Sequence, residues 1–165
     1  MKIARFFVVL LVAVALSSTA MAQGPVQNEE FGVSIAAPDG WEVASADDKA
    51  IANFKHQGSQ SQIQVIATRL MNAEVADTFF STFHRTLEES NFEEVSRQDA
   101  THGGHSGKEV KYSFTHSGVT LEIMVFEFLN DDTAWLVIGY MRDSEGENHG
   151  TSFQSVVQNI QFSQN

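Results

Sequence analysis

The sequence predicts an α+β fold, a mainly antiparallel sheet covered by helices in an α/β/α sandwich. Three observations predict it. Most apolar residues alternate with polar ones at the period of a half-buried strand. One mid-chain stretch instead repeats its apolar residues every four positions. The order is strands, a helix, more strands and a final helix, without the βαβ alternation that builds a parallel sheet.

Taken in order, residues 1–22 read as an export signal. Lys2 and Arg5 start it, Phe6 to Leu16 is an unbroken apolar run, and Ala20-Met21-Ala22 is a cleavage pattern. The cut is expected between Ala22 and Gln23. That run is too short for a membrane span, which takes about 20 apolar residues. Residues 23–165 then read as one domain, opening on a polar lead-in from Gln23 to Glu30. Phe31, Val33 and Ile35 alternate along a strand, and Pro38-Asp39-Gly40 turns it into a second strand at Trp41 and Val43. Asp47-Asp48 marks another turn. Ala50 to Lys55 and Gln62 to Arg69 are strands of a hairpin.

Val75, Phe79, Phe83 and Leu87 place an apolar face on a helix from about Glu74 to Ser90. Asn72 is the expected N-cap and Asn91 the expected left-handed stop. Strands resume with Phe92 to Gln98. Thr101 to Gly107 reads as a glycine-rich loop. Val110, Tyr112 and Phe114 alternate, and His116-Ser117-Gly118 turns the chain back. Val119 to Leu129 is apolar on both faces, as a strand covered on both sides must be. Asn130-Asp131-Asp132 is a turn before the strand Thr133 to Met141. Asp143 to Gly150 reads as a polar loop, and Thr151 to Asn159 as a short closing helix.

Composition narrows the function. The chain has 10 Lys and Arg, 21 Asp and Glu, and no Cys. Loss of Lys2 and Arg5 with the signal leaves 8 basic against 21 acidic residues, a net of −13. Such a surface repels phosphate backbones and anionic lipid, which excludes nucleic-acid binding. It reads as a solvated acidic surface, or one that attracts cationic partners or metal ions. Without Cys there is no disulfide and no lipid attachment after the signal, so no stable membrane anchor is expected in the mature form.

The candidate chemistry is sparse. His102 and His105 flank two glycines, and two imidazoles at that spacing can share a metal ion. His116 stands about 30 Å away at the far end of the intervening strand. The acidic run Asp143 to Asn148 lacks the glycine and glutamate positions of a calcium loop. Ser106 lacks the second glycine of a nucleophile elbow, because Lys108 stands there. Gly107-Lys108 lacks the following Ser or Thr of a phosphate loop. Glu88-Glu89 and Glu93-Glu94 read as solvated surface. His84 falls at the border of the helix's apolar face, as a packed histidine or a general base. Trp41 is either a core anchor or an aromatic contact for a partner.

The aromatic-led first strand running into Pro38-Asp39-Gly40-Trp41 resembles the opening of the PsbP-like family, the group of PsbP and DcrB-type bacterial envelope proteins. So do the phenylalanine-rich helix from Glu74 to Ser90 and the long hairpin Lys108 to Met141, coupled to a closing helix through Phe153 and Ile160 to Phe162. The resemblance implies an α/β/α sandwich around an antiparallel sheet. It implies a non-enzymatic accessory or binding role with no catalytic residues and no cofactor. Many bacterial members are anchored by a lipidated Cys, so this Cys-free chain is implied to diffuse freely. The reading is an exported, soluble binding protein of the bacterial envelope, in the periplasm or outside the cell, with an envelope protein as partner. The alternative is a small-ligand or metal-ion carrier using His102 and His105 or a helix–sheet pocket.

Overall fold

One strand with two apolar faces decides the architecture. In the computed structural model, which describes residues 24–46, 49–142, 144 and 146–163, it spans Val119–Asn130. Its Met124, Phe126 and Phe128 point to one side, and its Ile123 and Val125 to the other. Each side therefore needs its own cover. The expected export signal, the turn expected at Asp47-Asp48, Asp143 and Glu145 lie outside the described residues.

The strands are β1 (Val26–Asn28), β2 (Val33–Ile35), β3 (Trp41–Val43), β4 (Ala50–His56) and β5 (Gln62–Arg69). A short 3₁₀ turn, Ala73–Val75, leads into α1 (Ala76–Glu89). Then come β6 (Glu93–His102), β7 (His105–His116), β8 (Val119–Asn130) and β9 (Thr133–Arg142), α2 (Gly146–Gln158) and β10 (Gln161–Phe162). Seven strands form one antiparallel sheet in the order β3-β4-β5-β9-β8-β7-β6. β1, β2 and β10 form a separate small sheet.

α1 covers one face, packing Phe79, Phe80, Phe83 and Leu87 toward Val110, Tyr112, Ile123, Val125, Leu136 and Ile138. α2 and the small sheet cover the other. Phe153, Val156 and Val157 of α2, Ile160 just after it, and Val33 and Ile35 of β2 meet Phe126, Phe128, Trp135 and Val137 there. The expected sandwich is present.

Several local expectations change. The first strand is shorter than the alternation from Phe31 suggests, and Phe31 sits in the turn before it. The polar lead-in holds β1, whose Val-Gln-Asn carries no apolar pattern because backbone pairing to β2 organises it. The loop from Thr101 to Gly107 closes to a two-residue turn. Gly103 and Gly104 adopt φ of +57° and +85°, the two positive angles that a tight hairpin turn needs. α2 starts at Gly146, inside the stretch expected as loop. Two glycines weaken the helical signal there, and tertiary packing of His149 overrides it. Asn91 does stop α1 in a left-handed conformation, with φ of +66°. Asn72 precedes the 3₁₀ turn but makes no side-chain capping bond.

Candidate functional site

The two helices are seated differently. On α2, Phe153, Val156 and Val157 are fully buried. On α1, Phe79, Phe80, Phe83 and Leu87 are all only half-buried. A groove runs along each side of α1. The first, about 730 Å³, is mostly apolar and lies between Thr78, Phe79, Thr82 and Phe83 of the helix and Ile66 and Leu136 of the sheet. The second, about 620 Å³, lies between α1 and β6, β7 and β8, where Arg85, Arg97 and Lys108 alternate with Asp77, Glu88 and Glu127. α1 therefore stands as a ridge between two hollows.

A polar network, buried at His84, Tyr112 and Glu127 and exposed at Glu94 and Arg97, floors the second groove. His84, on α1, is 5% exposed, and its Nε2 lies 2.7 Å from Glu127 Oε2 on β8. Its Nδ1 lies 2.8 Å from the Tyr112 hydroxyl on β7. Arg97 reaches Glu94 Oε2 at 2.7 Å and Glu127 Oε1 at 3.7 Å. Residues 94 and 97 would face opposite sides of a regular strand. A bulge at Val95 shifts the register so that Glu94 stands opposite Tyr112 and Arg97 opposite Val110. Acid and base thereby share the α1 face.

A phenol, an imidazole and a carboxylate stand in series, with the phenol buried and not activated. Tyr112 is 1% exposed. Burial and the nearby Glu94 push its pKa up to about 12, away from an activated phenolate. His84 is held at both ring nitrogens, by Glu127 on one side and Tyr112 on the other. Hydrogen bonding from Arg97 holds the Glu94 carboxyl below its ordinary value. This network braces α1 against the sheet.

The residues singled out from the sequence lie elsewhere. His102 and His105 stand directly opposite each other at the β6–β7 turn, on the α2 face. His102 Nε2 is 3.1 Å from the buried Glu109 carboxylate. His105 stacks on Phe128, and that burial lowers its pKa. Among the described residues, no three His, Asp or Glu side chains gather as a metal site. Trp41 is 6% exposed and packs edge-on against His56 and His149, whose rings are 4.5 Å apart. Ser59 Oγ lies 3.1 Å from His56 and 3.4 Å from His149. His116 ends β7, away from both.

Glu127, Glu109, Glu94 and Arg97 carry no local signal for these roles. Glu127 meets His84 across 43 positions of sequence. One cue exists: a carboxylate inside an otherwise apolar strand must find a partner if it is buried.

No protein-family model matches the chain, and no curated protein matches it by sequence. Solved structures do. Cyanobacterial PsbP (CyanoP) from Synechocystis sp. PCC 6803 is similar at 10% identity and a TM-score of 0.62, over 83% of this chain and 90% of that one. LpqN, involved in cell envelope biogenesis of Mycobacterium tuberculosis, is similar at 15% identity and 0.58, over 85% and 90%. The Saccharomyces cerevisiae Ran-binding protein Mog1p is similar at 11% identity and 0.59, over 83% and 93%. Identities this low speak to architecture alone, and on that architecture the chain has the PsbP-like fold that its helix and closing hairpin resemble.

Proposed function

We infer that this is an exported, non-enzymatic accessory protein of the cell envelope that holds a basic protein partner against α1. One observation carries the reading: every large apolar side chain of α1 is half-buried between two grooves, while those of α2 are sealed. A helix resting on its own sheet has no need of such hollows. Apolar side chains of a partner fit the groove beside Phe79 and Phe83. The charge balance favours a basic partner, and α1 itself carries Asp77, Glu88 and Glu89 against Arg85. The burial of Tyr112 and its raised pKa support a binding role over catalysis. The involvement of LpqN in cell envelope biogenesis and the Ran binding of Mog1p are in keeping with it.

The test is site-specific photo-cross-linking in the producing cells. Thr82, exposed at the apolar groove, is replaced by a photoreactive residue, with Val119 as the remote exposed control. The expected result is one discrete protein adduct from position 82, lost when Phe79→Asp is added. No adduct at 82, or the same adduct at 119, contradicts the reading.

A further inference from the structure

The seven-stranded sheet ends very differently at its two edges. One edge is β3, three residues long. The other is β6, ten residues long, with residues 93–99 all exposed and no strand paired on its outer side among the described residues. A long free edge is a template for another strand, and folds shorten, bulge or charge such edges to prevent pairing. The bulge at Val95 disrupts the first part of β6. From Ser96 to His102 the strand is regular.

Its hydrogen-bonding phase follows from the turn. A two-residue turn closes on the hydrogen-bonded pair His102–His105. By alternation Ala100, Gln98 and Ser96 direct their backbone groups to β7. Arg97, Asp99 and Thr101 direct theirs outward.

A second copy related by a two-fold axis normal to the sheet meets this edge antiparallel, with equivalent faces on the same side. Residues of the same parity then stand opposite each other. An axis at Arg97 opposes two arginines, and an axis at Asp99 opposes two aspartates. An axis at Gln98 sets Arg97 opposite the second copy's Asp99, twice. In that register the outward N–H and C=O groups of residues 97 and 99 face one another in hydrogen-bonded pairs. Asp99 has no ion pair of its own among the described residues, and Arg97 keeps a third of its side chain exposed. Direction, phase and charge agree in one register.

We propose that β6 is the contact surface for a second copy of this chain, paired antiparallel about Gln98 into one continuous sheet. The two charged grooves, each lined by Arg97, then adjoin across the axis. This pairing is independent of the partner inferred for α1.

The test uses the chain from Gln23 onward, which holds every described residue. Two copies of like net charge repel, so sedimentation equilibrium is run at 0.15 M salt, where the screening length is about 8 Å. The expected result is a concentration-dependent dimer. Asp99→Arg sets arginine against Arg97 in both pairs and weakens the dimer at least tenfold. Asp99→Pro removes an outward N–H, leaves the bonds to β7 intact, and weakens it likewise. Thermal melts monitor the fold of each variant.

The absence of native Cys permits a direct geometric check. In the proposed register Gln98→Cys meets its own copy at a Cα separation of about 4.5 Å, within disulfide range. Thr101→Cys stands about 20 Å from its copy. Rapid oxidative dimerisation of the first and not the second supports the pairing. A monomer across the whole accessible concentration range overturns it, including one whose β6 instead binds a peptide. Equal cross-linking of the two cysteines, or a dimer indifferent to both Asp99 variants, overturns it as well.

Discussion

Glu127 and Glu109 are both about 5% exposed, one on each face of the sheet, and each is met by a histidine. Such pairs are expensive to break from one side. His84→Ala leaves Glu127 buried with only Arg97 nearby at 3.7 Å, and it is expected to lower the unfolding free energy by about 3–5 kcal/mol. Tyr112→Phe deletes the hydrogen bond to His84 and the longer ones, at 3.4 Å, from Arg97 and to Glu94, and is expected to cost about 1–2 kcal/mol. Urea titrations of the two variants give both values, and the order His84 above Tyr112 is the firm expectation. Tyr112 also sets an alkaline limit. Its folded pKa, about 12, lies above the unfolded value of 10.0, so the fold holds that proton more tightly. The stability linked to it is complete below pH 10.0 and drains away as pH rises to about 12. In a Tyr140→Phe background, with Tyr112 as the remaining tyrosine, ultraviolet titration of the phenol is expected to reach its midpoint near 12. A midpoint at the ordinary value contradicts the burial argument.

The two helices differ in how much of their apolar face is enclosed, and stability should register it. Phe153→Ala empties a fully buried site and is expected to cost about 3–5 kcal/mol. Phe79→Ala acts on a half-buried ring beside an open groove and is expected to cost about half as much. Comparable losses would mean that α1 is as firmly seated as α2. Gly103→Ala meets both a φ of +57° and the Gln158 carbonyl oxygen at 2.9 Å from the added carbon. Gly104→Ala meets open space and only the backbone penalty, so its melting temperature should fall less. Much at this scale is legible in the sequence. Alternation reveals β5, runs apolar on both faces reveal β8 and β9, and the period of four reveals α1, because each reflects faces pressed on a core. The bulge at Val95, β1, and the first turn of α2 are not legible. Each depends on partners remote in sequence, and none repeats at a fixed period. The network on the α1 face is hidden for the same reason: His84 signals itself by its place on the helix, whereas Tyr112, Glu94 and Arg97 join it through strand register.

At the scale of the whole molecule, the partner proposed for this acidic body with one incompletely covered helix is basic and partly apolar. The net charge of −11 steers such a partner over distances beyond contact. Its association rate should therefore fall as salt rises, while Phe79→Asp should act chiefly on dissociation. Stopped-flow binding at two ionic strengths separates the effects. No described helix is long and apolar enough to cross a membrane. The most direct measurement of the central claim is backbone amide exchange with and without the protein captured at Thr82, supplied in excess. Slower exchange along Ala76–Glu89 and the flanking strands β5 and β9, with α2 unchanged, is the predicted result. Slowing over α2 alone, with Ala76–Glu89 exchanging as before, would contradict it.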